Sequence, residues 1–237
     1  MKSYEDIGLS PNLQSQDSLA VKTTNQTQNI TNLVSEVYQN LNPNINNTTV
    51  IDGLMFKQIG TNPVQAYYIG GQMTANTGLG TQLFTADILR AAPFLSTRGG
   101  VIDRIACNVT GTSAAGEFRM GIYQATSQTN LYPNNLIVDA GTFNSTAGAA
   151  LRTASISITL QPNTLYWLVH IQGNNSAPFR RVIADDCFNL LGVGTGFTEA
   201  YYGIEAGFTY GTLPATFPTG GTIISSSVPG VGLRFLA

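Results

Sequence analysis

After about residue 50 the apolar pattern shifts toward a period of two, which leaves room for little except β-structure. Phe118, Met120 and Ile122 alternate with Arg119, Gly121 and Tyr123, while Ala154, Ile156, Ile158 and Leu160 alternate with Thr153, Ser155, Ser157 and Thr159. Both runs read as half-buried strands. Between Val101 and Thr110, one face carries Val101, Ile105, Cys107 and Val109, with Asp103 the exception, and the other carries Arg104, Asn108 and Thr110. The run from Leu165 to Ile171 is apolar on both sides, with Leu165, Trp167, Val169 and Ile171 opposite Tyr166, Leu168 and His170. Such a run predicts a central strand.

Turn signals separate these runs at Arg98-Gly99-Gly100, Thr110 to Gly116, Tyr132 to Asn135, Gln161-Pro162-Asn163 and Gly173-Asn174-Asn175. Short strands at this spacing argue for a mainly β fold, an antiparallel β-sandwich of the jelly-roll kind over residues 51–237. Glycines from Gly192 to Gly211 break the last third into short pieces and predict long loops there. The final alternation of Val231, Leu233 and Phe235 predicts a strand that closes a sheet.

Residues 1–50 have a different character and read as an attachment arm. The first 26 are polar and bury too little apolar surface to offset the entropy of ordering. From about residue 27 to residue 41, Ile30, Leu33, Val34, Val37 and Leu41 fall at helical spacing; Asn25 or Thr27 can cap the start and Asn42-Pro43 stops the run. A helix this short is marginal alone in water, so the stripe needs a partner surface, either the chain's own body or identical helices. Those five residues are the expected oligomer or docking contacts.

Catalytic chemistry is scarce. The 237 residues include one histidine, two cysteines, 11 Lys and Arg and 13 Asp and Glu, with a formal net charge of −2. No basic stripe exists to neutralise phosphates, so nucleic-acid binding is not expected. Glu5 and Asp6 stand where a signal peptide needs an apolar core, and no apolar run is long enough for a membrane helix, so neither export by that route nor membrane insertion is expected. His170 has no motif to place it in a serine relay or a zinc site and reads as a strand residue at or near the surface. Cys107 and Cys187 read as two buried thiols, with a disulfide as the alternative.

Asp185-Asp186 is the one adjacent carboxylate pair; without the repeated calcium-loop pattern it reads as a solvated turn. Glu117, Asp139, Asp185, Asp186, Glu199 and Glu205 could supply carboxylates for glycoside hydrolysis, but nothing in the sequence pairs them. The expectation is a protein without catalytic residues, metal or cofactor. A glycan site has better material: Tyr201, Tyr202, Phe208 and Tyr210 share a glycine-rich stretch with Glu199 and Glu205. The alternative is that these rings enter the core.

Residues 67–173 carry a resemblance. The stretch YYIGGQMTANTGLGTQLFTADILRAAPFLSTRGGVIDRIACNVTGTSAAGEFRMGIYQAT, followed by NLIVDAGTFNSTAGAALRTASISITLQPNTLYWLVHIQG, resembles the jelly-roll modules of tailed-bacteriophage virion proteins. The features that carry it are the turn from Pro93-Phe94 to Ile105, the Gly121-Ile122-Tyr123 strand, the Asp139-Ala140-Gly141-Thr142 strand and the strand from Thr164 to Leu168. The resemblance implies a virion structural protein, assembled in the host cytoplasm and commonly a homotrimer. Its N-terminal segment would dock on other virion proteins while the β domain projects. A tail-fibre or tail-tip protein contacting a host surface glycan is the first expectation, and a head fibre or capsid decoration protein the alternative. A carbohydrate-binding module or glycan hydrolase is the alternative of another class, since fold alone does not decide function.

Overall fold

The computed structural model describes residues 67–71, 79–96, 99–111, 116–127, 129–146, 148–183, 190–198 and 200–236. The arm, the expected helix at 27–41 with Ile30, Leu33, Val34, Val37 and Leu41, and Asp185, Asp186, Cys187 and Glu199 lie outside the described residues.

Among the described residues the chain forms thirteen strands and no helix. They are β1 (Tyr68–Ile69), β2 (Gly80–Leu83), β3 (Ile88–Ser96), β4 (Gly100–Val109), β5 (Glu117–Ala125), β6 (Pro133–Asn144), β7 (Ala150–Leu160), β8 (Thr164–Gln172), β9 (Pro178–Ile183), β10 (Gly203–Gly207), β11 (Thr222–Ile224), β12 (Ser227–Pro229) and β13 (Val231–Phe235). One antiparallel sheet runs β11-β10-β3-β8-β5-β6. In the other, β4 lies between β7 and β13, β13 also pairs β1, and β9 joins the end of β4 while carrying β2 and β12.

The two sheets share one core, which makes the fold a sandwich. Phe94, Phe118, Met120, Ile122, Tyr166 and Leu168 come from the first sheet and meet Ile102, Ile105, Cys107, Val109, Phe179, Val231, Leu233 and Phe235 from the second. The alternation expected for β5, β7 and β13 holds: Phe118, Met120 and Ile122 are buried, Ala154, Ile156 and Ile158 pack against the same core, and β13 sits between β1 and β4.

Strand β4 departs from the simple alternation. Arg104 stands opposite Arg234 and Ile102 opposite Phe235, so Asp103 is an extra residue relative to β13. This bulge resets the faces. Ile102 is the core residue and Val101 is 38% exposed, which corrects the expectation that Val101 shares a face with Ile105. Asp103, the exception in the pattern, turns outward and accepts from Arg234 Nε at 2.8 Å. That hydrogen bond holds its carboxyl below the usual carboxylate range.

His170 also departs from expectation. It is buried on central strand β8, which pairs β3 on one side and β5 on the other, and its side chain points into the shared core rather than toward solvent. Its ring lies 4.5 Å from that of Phe179, 5.7 Å from Phe118 and 6.0 Å from Phe84 between centroids. Neither ring nitrogen has a hydrogen-bond partner.

The opposite face of the first sheet is covered as well. Leu89, Ala91, Tyr123, Trp167, Val169, Ile171, Ile204 and Ala206 pack under Leu213 and Phe217 from the segment 208–221. Aromatic donors, buried at Tyr123 and Trp167 and half-buried at Tyr132, hold covering chain down: Tyr123 Oη donates to Pro214 O, Tyr132 Oη to Pro218 O, and Trp167 Nε1 to Leu131 O, at 2.6, 2.6 and 2.9 Å. Gly121 makes this close approach possible, since a Cβ there would stand 2.3 Å from Leu213 Cδ1 and 2.6 Å from Val138 O. Gly121→Ala is therefore expected to lower stability by about 1–3 kcal/mol, the usual range for overpacking, measured by thermal unfolding. An unchanged melting temperature would mean that the segment is not seated on β5.

Candidate functional site

Three strand ends of the first sheet converge at one corner of the sandwich. Glu117 at the start of β5 pairs with Asn144 at the end of β6, and the turn after β8 brings in Gly173 and Asn174. Backbone hydrogen bonds fix this corner: Ser145 N donates to Gly116 O at 2.8 Å and Gly173 N to Glu117 O at 2.9 Å. Together with Thr146 and Tyr210 these residues line a concavity of about 300 Å³.

Tyr210 is held from both ends. Its backbone N donates to Asp87 Oδ1 at 2.7 Å, and Asp87 O accepts from Phe208 N at 3.0 Å. Its ring covers Gly173 so closely that a Cβ there would stand 3.0 Å from Cδ1. The phenol oxygen is buried beside Thr142 and Arg119 without a well-formed hydrogen bond to either. Burial, with the Glu117 charge added, pushes this phenol above its ordinary value against the opposing pull of Thr142 and Arg119. Of the lining amides, Asn144 Oδ1 caps Thr146 N at 2.6 Å and Asn174 Oδ1 accepts from Ser176 Oγ at 2.6 Å.

Behind the concavity lies the Arg119–Asp139 pair, at 2.9 Å between Nη2 and Oδ2. Arg119 Nη1 donates to Thr142 Oγ1 at 2.6 Å, while Asp139 accepts from Leu213 N and Gly141 N, both at 2.9 Å. Burial pushes the Asp139 carboxyl up, but the hydrogen bonds from Arg119, Leu213 and Gly141 and the arginine charge hold it below the usual carboxylate range. This carboxylate fastens the covering segment to β6.

The structure divides the aromatic stretch that the sequence singles out. Tyr202 packs beside Ala92, Val182, Ile224 and Val228, whereas Phe208 and Tyr210 pack beside the Trp167 cluster. Tyr201 is half-buried and its N donates to Gly192 O. Glu205 pairs with Arg90 across β10 and β3 at 3.0 Å, and Arg90 itself lies over the Phe84 ring. Among the described residues of this set, only Tyr210 lines the concavity. In the sequence Glu117 is one of six candidate carboxylates and Gly116, Gly173 and Asn174 mark turns, whereas Asn144 and Thr146 carry no signal.

A second concavity, about 350 Å³, is lined by Leu95, Gln124, Ala125, Thr126, Ser127, Leu131, Asn163, Thr164 and Leu165, with no ionisable side chain. In the glycine-rich loop, Phe197 is 85% exposed at a positive φ of 54°, and Val193 and Ala200 form a bridge across its base. Cys107 is buried, and burial pushes its thiol well above its ordinary value despite the Arg152 charge. Among the described residues no three His, Cys, Asp or Glu side chains converge on a metal position, and no helix is long and apolar enough to cross a membrane. The chain matches no protein-family model and no curated protein sequence.

Proposed function

We propose that this chain is a non-enzymatic structural protein of a bacteriophage particle, a trimeric fibre or tail-associated protein that contacts the host. Residues 1–50 dock it on other virion proteins and the sandwich, of jelly-roll type, projects. One observation carries the reading: the residues behind the phage-module resemblance are the ones that hold the sandwich together. Phe94, Ile102, Ile105, Ile122, Tyr123, Trp167 and Leu168 are core, and Asp139 clasps the covering segment. The engagement of carboxylates in pairing supports a non-catalytic role. Asp103, Asp139 and Glu205 each face an arginine, which leaves no two of them free to act as an acid and base across one bond.

A carbohydrate-binding module from outside a virion is the second reading, favoured by the concavity beside Tyr210. Electron microscopy of purified phage particles with a gold-labelled antibody against this chain separates the two. Gold at the tail is the expected result. Gold on the head moves the reading to a head fibre or decoration protein, and unlabelled particles overturn the virion assignment.

A further inference from the structure

We infer that the concavity formed by Glu117, Asn144, Thr146, Gly173, Asn174 and Tyr210 binds one residue of an uncharged saccharide. This deepens the host contact proposed above and rests on it for the source of the glycan. Binding itself is a property of the chain and is tested without the particle.

The lining sets the ligand class. A volume of about 300 Å³ lies at the small end of ligand sites and suits a single sugar ring rather than an extended chain. The polar side chains are two amides, a hydroxyl and a carboxylate, a set that both donates to and accepts from sugar hydroxyls. Tyr210 contributes an aromatic surface to the same wall, against which the C–H face of a pyranose can lie.

Charge narrows the choice further. Among the described residues no cationic side chain lines the concavity. The nearby Arg119, beside the Tyr210 phenol, is already engaged by Asp139 and Thr142. An anionic sugar would meet the Glu117 carboxylate with no cation to compensate, so uronic and sialic acids are rejected by repulsion as well as by the lack of an attractive partner. A purely apolar ligand would strip water from the amides and carboxylate without replacing their hydrogen bonds.

The site is also preformed. Asp87 fixes the Tyr210 backbone, Gly173 supports its ring, and the two asparagine oxygens are held by Thr146 N and Ser176 Oγ. Little side-chain ordering is left to oppose binding, which lets a small contact area hold a sugar at all. Sequence spacing conceals this convergence because the lining comes from residues 116, 117, 144, 146, 173, 174 and 210.

The test is saturation-transfer NMR on the full chain, with methyl glycosides of glucose, galactose, mannose and N-acetylglucosamine as neutral probes. Glucuronic and sialic acids serve as anionic probes and N-acetyl-lysine amide as a cationic one. Transfer to at least one neutral glycoside is expected, with amide shifts confined to Gly116, Gly173, Asn174 and their neighbours. Asn144→Ala should weaken it about fivefold to tenfold, the effect of one hydrogen bond. Glu117→Gln, which leaves the backbone pairing of β5 and β6 in place, should raise transfer to glucuronic acid relative to the neutral sugars. No transfer to any neutral glycoside, equal transfer to the anionic probes, transfer to the lysine probe alone, or shifts elsewhere on the sandwich would each overturn the assignment. Neutral-sugar binding in a chain absent from phage particles would leave the site standing and remove only the virion reading.

Discussion

His170→Leu will remove most of the protein's loss of stability between pH 6.5 and pH 4.5. In the folded chain, burial among Phe84, Phe118 and Phe179 and, secondarily, the Arg90 charge pull the imidazole down to about 3 from its ordinary 6.5. The unfolded chain therefore takes up a proton below pH 6.5 that the folded chain refuses. The stability this residue leaves intact is fully present above pH 6.5, falls as pH drops, and stops falling near pH 3. At about 1.4 kcal/mol per pH unit, the loss from pH 6.5 to 4.5 is roughly 2–3 kcal/mol. Asp103 and Asp139 sit below the usual carboxylate range, so their contributions fail only at lower pH. Urea unfolding at pH 7 and pH 4.5 measures the difference. The leucine variant should match or exceed the native protein at pH 7, because two unpartnered buried nitrogens go with the ring. Parallel pH curves for the two proteins would show that His170 is hydrated or hydrogen-bonded in solution.

Asp139→Ala will cost about 3 kcal/mol, the lower end of the range for removing one partner of a buried pair, because this pair is part-buried. The Arg119 and Asp139 side chains are only 15% and 13% exposed, so the guanidinium left behind has little water to turn to. The same change strands the Leu213 and Gly141 amides. Arg119→Met with Asp139→Leu should recover much of the loss by removing both charges, though the two amides remain unpaired. Denaturant titration of the single and double variants reads this directly. A single variant within about 0.5 kcal/mol of native would place the pair in solvent.

Most strands were legible because half-buried strands print their two faces on alternate residues, as β5 and β7 do. The features that escaped are those where a face is not enough. At Val101 a strict period of two fails because Asp103 is an extra residue, and its polarity marks the irregularity without revealing its direction. His170 sits in a run correctly read as a central strand, and a central strand has no solvent face. Its polar side chain suggests a surface position, but an aromatic cage buries a neutral imidazole. The proposed saccharide site is the least legible. Tyr210 stood out as an aromatic in a glycine-rich stretch, but Glu117, Asn144 and Asn174 look like ordinary strand ends and turn residues until the sheet brings them together. No spacing rule encodes that meeting.

The chain has one tryptophan. Trp167 lies at zero exposure beneath Leu213 and Phe217, with its indole N–H donated to Leu131 O. The molecule thus carries a built-in optical gauge at the seam between the first sheet and its outer cover. Blue-shifted emission reports a closed seam. A red shift and new access to acrylamide, at a denaturant concentration where the strand signal in circular dichroism is intact, would time the peeling of segment 208–221 apart from the collapse of the sandwich. No dye or introduced label is needed to see the outer layer leave first.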